Sequence, residues 1–137
     1  MILHIGLKGT CTQIIEDAHT AASIGSGSLP VCATPVICAL MEHAAVNSVS
    51  RCFPAGTTSV GVFLSVSHRA PTLTGHSVTA CAELIRTEGR KLTFHIQVSD
   101  EGASSPKPIM CASWWNHRLF LKRLQNVTIH NRFYLIK

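Results

Sequence analysis

Residues 34–49 constrain this chain more than any other stretch. Thr34 suits a helix N-cap and Pro35 the first helical position. Val36, Ile37, Leu40, Met41, Ala44, Ala45 and Val49 then follow at helical spacing. From Pro35 to Ala45 the only charged residue is Glu42, with His43 beside it, and Cys38, Ala39 and Ala44 fill much of the rest. A surface helix carries a polar stripe, whereas a helix that is apolar nearly all round is expected to be buried. The fold must therefore wrap something around this helix.

The wrapping material follows directly. Val60, Val62, Leu64 and Val66 alternate with Ser59, Gly61, Phe63 and Ser65. Val78, Ala80, Ala82 and Leu84 form a second alternating row, and Leu92, Phe94, Ile96 and Val98 a third. Glu88-Gly89 marks a tight turn between the last two, and Pro71–Gly75 separates the first two. Such short connections predict a meander of antiparallel neighbours. Thr10–Ile15 reads as an earlier strand and Gly25–Ser28 as a loop. The expected architecture is α+β: an antiparallel sheet wrapped around one long central helix, with two such sheets able to pair side by side into a dimer. Beyond Gly102 the pattern weakens. Ser104–Pro108 is a breaker cluster, Ile109–Trp115 reads as a last strand, Asn116–Gln125 as a short basic helix, and Val127–Ile136 alternates weakly.

The length, 137 residues, fits one domain over 1–137. With 46% hydrophobic and 14% charged residues the chain can form a core, which excludes disorder. Its net charge of +5 first suggests a polyanion partner. The distribution argues otherwise. Residues 1–102 hold six Lys/Arg and seven Asp/Glu, or −1; residues 103–137 hold six Lys/Arg and no acid, or +6. The charge belongs to an atypical basic segment, so neither nucleic acid nor a membrane is an expected partner. The longest apolar run, Val31–Met41, is too short to span a bilayer. Cys11, Cys32, Cys38, Cys52, Cys81 and Cys111 show neither CxxC nor zinc-type spacing, and read as free thiols of a cytoplasmic protein. No metal ligand set is expected.

Three polar residues stand where polarity needs a reason. Thr34 opens the apolar helix, where a plain N-cap would account for it. Glu42 lies eight residues on, about 12 Å along the axis, on a helix with no other charged position to mark a solvated face. His68 continues the row Val60, Val62, Leu64, Val66 at the end of its strand; a capped core histidine is the bland alternative. Hydroxyl, carboxylate and imidazole together suit acyl transfer, with helix N-terminal amides as an oxyanion site.

These residues sit in a longer pattern. Gly27–Pro35, Leu40-Met41-Glu42-His43-Ala44-Ala45, Ser59-Val60-Gly61, His68-Arg69-Ala70-Pro71-Thr72, Gly75, Ala82-Glu83-Leu84 and Glu88–Leu92 together resemble the fluoroacetyl-CoA thioesterase-like family of hotdog-fold proteins. The resemblance runs from about Gly6 to Gly102. It implies a hotdog fold, a homodimer with its active site between protomers, and hydrolysis of an acyl-CoA thioester. The family's catalytic Thr, Glu and His fall on Thr34, Glu42 and His68, and Gly61 matches a glycine that contacts the acyl group. No cofactor is implied, since CoA enters as part of the substrate. Two departures follow. The fluoroacetyl enzyme closes phenylalanines over its acyl group, but here no aromatic precedes Phe53, which argues against fluoroacetyl as the substrate. Ala103–Trp115 also lacks the family's Gly-x-Gly-x-His-x-Arg strand and the arginine that helps line its site. The expected function is hydrolysis of a small acyl-CoA. The alternative is a non-catalytic hotdog module that binds acyl-CoA or a small acyl ligand, and a nucleic-acid binder using the tail ranks last.

Overall fold

The computed structural model of the chain describes residues 2–101 and the strand 107–121. The elements in chain order are β1 (Lys8–Ile14), a short helix α1 (Ala21–Ile24), the long helix α2 (Thr34–Val49), β2 (Thr57–His68), β3 (Ser77–Glu88), β4 (Lys91–Asp100) and β5 (Lys107–Leu121). The strands form one antiparallel sheet in the order β1-β3-β4-β5-β2. Helix α2 lies on one face of it, chiefly against β1 and β3.

The periodicities explain this packing. Ile37, Leu40, Met41, Ala44, Ala45, Ser48 and Val49 recur at helical spacing and are buried. They meet Val78, Ala80, Ala82 and Leu84 of β3 and Leu92, Phe94, Ile96 and Val98 of β4, all buried in the same core. Burying a large side chain such as Phe94 contributes about 1.5–3 kcal/mol. The β3–β4 turn falls at Gly89, whose φ of 56° suits glycine. Strand β1 approaches α2 so closely that only a glycine fits at position 9: a Cβ there would stand 2.5 Å from the Ala44 carbonyl oxygen and 2.7 Å from Ser48 Cα.

Several expectations change. The helix starts one residue early, with Ala33 as N-cap and Thr34 and Pro35 inside the first turn. It is buried on one face only: Ala39, Glu42, His43 and Asn47 are exposed in the single chain. Strands β2 and β3 are not meander neighbours, because β2 pairs with β5. Their connection crosses the start of α2 instead, held by a bridge between Val31 and Leu73 and by the Cys32 N–H donating to the Thr72 carbonyl (2.8 Å).

The inward row on β2 also shifts. Val60 and Val62 are exposed, whereas Ser59 is buried and Leu64, Val66 and His68 are partly buried. The cause is a bulge between Gly61 and Phe63, where β2 gains a residue on β5 and the alternation changes parity. Lastly, Asn116–Leu121 is not helical but continues β5, paired with β2 and, as far as Arg118, with β4 on its other side. Two ladders of backbone hydrogen bonds outweigh the local helical pattern. The sheet thus keeps a strand where the family's usual sequence is missing. Residues 122–125 of the expected helix, most of the Ser104–Pro108 breaker and the Val127–Ile136 stretch lie outside the described residues. No helix among those described is long and apolar enough to cross a membrane.

Candidate active site

Thr34 and His68 meet. Thr34 is the first residue of α2 and His68 the last of β2, and the Thr34 Oγ1 lies 2.8 Å from the His68 Nδ1. With Ala33 as N-cap, the Thr34 side chain makes no capping bond and is free for the imidazole. Anchors on both sides hold the pair. The Ala33 N–H donates to the His19 carbonyl (3.0 Å), and the bridge from Val31 to Leu73 fixes the segment that follows His68. On the far side of the ring, His68 Nε2 is buried and has no hydrogen-bond partner among the described residues. A buried ring nitrogen left unpaired costs about 1–3 kcal/mol, a cost that a ligand can offset.

The pair opens on a cavity of about 370 Å³, lined by Ala21, Ser26, Val31, Cys32, Arg69, Ala70 and Pro71. Among the described residues no Phe, Tyr or Trp lines it. Arg69 is a cation at this cavity that the motif contained but the chemical reading passed over. The helix N-terminus offers less than expected. Pro35 has no N–H, and the Val36 and Ile37 amides donate to the Ala33 carbonyl at 3.0 and 3.2 Å. That leaves the Thr34 N–H as the first-turn amide available to an oxyanion.

Glu42 and Gly61 form a second group. They line a cavity of about 470 Å³ with Ala39, His43, Val46, Ser59 and Val60. The Gly61 bulge is what turns Ser59 toward the core here. Glu42 lies one turn beyond Cys38 on the same face, and the Cys38 thiol is pushed up by burial and then by the Glu42 carboxylate. Within one chain, then, the structure brings Thr34 to His68 and Glu42 to Gly61. The two groups line separate cavities, about 12 Å apart along α2. Among the described residues no cluster of His, Cys, Asp and Glu could hold a metal ion.

Comparison with known proteins agrees with this architecture. The profile of the family described as fluoroacetyl-CoA-specific thioesterase matches residues 15–104. The fluoroacetyl-CoA thioesterase of Streptantibioticus cattleyicolor is 37% identical over 70 residues, 51% of this chain and 50% of that protein. The chain thus spans about half the length of the curated relative it matches. A solved structure of the fluoroacetyl-CoA thioesterase FlK superposes with a TM-score of 0.78 at 24% identity, covering 88% of this chain and 90% of that one. A Thermus thermophilus protein described as a thioesterase superfamily member superposes at 0.77 and 20% identity (87% and 85% covered). A hot-dog-like protein of Thermanaerovibrio acidaminovorans superposes at 0.75 and 21% (88% and 85% covered). The fold is the hotdog fold.

Proposed function

The chain belongs to the fluoroacetyl-CoA-specific thioesterase family, and on that premise we propose that it hydrolyses a small acyl-CoA thioester in a site shared by two copies of itself. The observation that carries this reading is the Thr34–His68 pair at 2.8 Å, seated at the mouth of a cavity. An imidazole can hold or take the proton of such a hydroxyl, and the Thr34 N–H, the first-turn amide not used within the helix, can donate to the negative charge that develops on a thioester oxygen.

A second copy supplies the remaining part. Glu42 stands on an open face of α2 and lines a cavity with Val60, and the next residues of β2, Val62 and Phe63, are each 54% exposed. Apolar surface of this kind around a lone carboxylate favours coverage by another chain. In that assembly Glu42 of one copy serves Thr34 and His68 of the other. Glu42 and His68 activate the attacking group, water or Thr34. A C–O bond forms at the carbonyl carbon, the C–S bond breaks, and CoA leaves as its thiol with the transferred proton. Attack by water gives the carboxylic acid at once, whereas attack by Thr34 leaves an ester that a water then cleaves to the acid and the restored hydroxyl. This chemistry calls for no bound cofactor, since CoA enters as part of the substrate. The lack of a phenylalanine in the described lining of the Thr34 cavity favours an acyl group other than fluoroacetyl. The five described cysteines are unpaired, which suits a cytoplasmic location.

Thiol release over a short panel of acyl-CoAs tests the proposal. Glu42→Ala and His68→Ala should each lower turnover by at least about 100-fold. Unchanged turnover in both variants overturns the mechanism. Stabilisation by acyl-CoA with no thiol release by the wild type would instead identify a binding module.

A further inference from the structure

The charge around the Thr34–His68 cavity is one-sided. Among its described lining residues Arg69 alone carries a permanent charge, and no Asp or Glu joins it. The neighbouring groups add no negative charge to the lining. Cys32 is 2% exposed, and burial holds its thiol in the neutral form. Asp100, the carboxylate whose field reaches Cys32, accepts from His76 Nδ1 at 3.1 Å. Thr34 lies in the first turn of α2, where the aligned peptide dipoles add a partial positive charge. A cavity of this kind favours an anion. Arg69 is itself exposed, so solvent already satisfies its guanidinium, and what counts is its position. It follows His68 directly in the chain, and His68 Nδ1 lies 2.8 Å from the Thr34 hydroxyl. A cation there reaches groups within a few bonds of the carbonyl carbon that the pair attacks. The phosphates of CoA are the whole pantetheine arm away from that carbon. The anion that suits Arg69 is therefore one carried by the acyl group.

We propose that Arg69 selects thioesters whose acyl chain ends in a carboxylate, the CoA monothioesters of short dicarboxylic acids. The inference rests on the thioesterase reading and names its substrate class. The guanidinium presents a planar fork of N–H donors that matches the two oxygens of a carboxylate. The chain is short because Arg69, Thr34 and His68 share one cavity of about 370 Å³. The reaction itself is unchanged: water adds to the thioester carbon, the C–S bond breaks, and the products are a dicarboxylic acid and CoA thiol. The carboxylate contact is the same in substrate and transition state, so it acts on KM rather than on kcat.

Two thioether analogues of CoA test this in the full-length protein, one with carboxypropyl and one with butyl on the sulfur. Neither can be cleaved, so binding is read apart from turnover. The wild type binds the carboxypropyl compound about 10-fold more tightly, and added salt shrinks the preference because Arg69 is exposed. Arg69→Gln binds the two alike, and Arg69→Lys keeps part of the preference. The wild-type preference persists when both groups are carried on pantetheine, which has no phosphate. In turnover, Arg69→Gln lowers the ratio of kcat/KM for succinyl-CoA over butyryl-CoA by about 10-fold, through KM. Equal binding of the two analogues by the wild type, or a preference that survives Arg69→Gln, overturns the proposal. Equal weakening of both analogues in Arg69→Gln that vanishes on pantetheine also overturns it, and assigns Arg69 to a CoA phosphate. An equal fall in kcat for both thioesters overturns it too, and assigns Arg69 to Glu42 of the second copy. A carboxylate preference that depends on Arg69, with no thiol release by the wild type, overturns the thioesterase reading and leaves the role of Arg69 in place.

Discussion

The Thr34 hydroxyl and the Cys32 thiol, two residues apart, show how environment decides what a side chain can do. Thr34 is exposed and bonded to an imidazole, so its proton has somewhere to go. Cys32 is 2% exposed, and burial, followed by the Asp100 carboxylate, pushes its thiol up to about 11 from 9.0. The thiolate is the nucleophilic form, so Cys32 is an inert structural thiol at neutral pH despite lining the Thr34 cavity. Its effect on stability has a definite sign. Folded Cys32 keeps its proton up to about 11, whereas the unfolded thiol loses it near 9.0. Its contribution is therefore fully present below pH 9.0 and declines as pH rises toward 11. Denaturant midpoints measured across that interval should fall for the wild type and fall less steeply for Cys32→Ala. Parallel slopes in the two proteins would show that Cys32 titrates normally.

At the scale of elements, the contact between β1 and α2 depends on one missing side chain. Gly9 lies against the helix backbone at Ala44 and Ser48, which cannot rotate away as a side chain would. Gly9→Ala should destabilise the fold by about 3 kcal/mol, read as a lower denaturant midpoint, because β1 must lift off the helix to admit a methyl. Gly27→Ala, whose Cβ would meet only the Ala21 Cβ at 3.3 Å, is the milder control. The elements also show what the sequence made legible. Helix α2 and the inward rows of β3 and β4 could be read directly, because each has one period from end to end and one apolar face. Strand β2 could not, since the bulge near Gly61 reverses its parity half-way. A glycine inside an alternating strand was the signal available for that. The same oversight hid Ser59, which reads as outward-facing only if the strand is regular. Strand β5 was only partly legible, because Asn116–Leu121 is held by ladders to strands distant in sequence rather than by a pattern of its own. Thr34, Glu42 and His68 could be singled out as polar groups in apolar settings. That Thr34 bonds His68, while Glu42 lies in another cavity, follows from tertiary packing alone.

For the whole molecule the decisive feature is β2, an edge strand of twelve residues, Thr57–His68. It contains no Lys, Arg, Asp, Glu or Pro, so it lacks the charges and prolines that keep exposed edges from pairing. It also carries His68 and Gly61, and it borders the open face of α2 that presents Glu42. If two copies meet along β2, each site takes Glu42 from one chain and Thr34 with His68 from the other. That arrangement has a consequence that a site built within one chain does not share. Glu42→Ala and His68→Ala should each lose nearly all activity as pure proteins. A mixed dimer places both substitutions in one site and leaves the other wild-type. Unfolding and refolding an equimolar mixture should make half the dimers mixed, and so restore about a quarter of the wild-type activity. The specific activity of the refolded mixture, set against each variant refolded alone, is the measurement. Were all three parts of the site to come from one chain, every site in the mixture would keep one substitution and no activity would return. The same preparation with Val62→Lys added to both variants should run as a monomer in size-exclusion chromatography and recover nothing, because a charge on β2 opposes pairing of its edges.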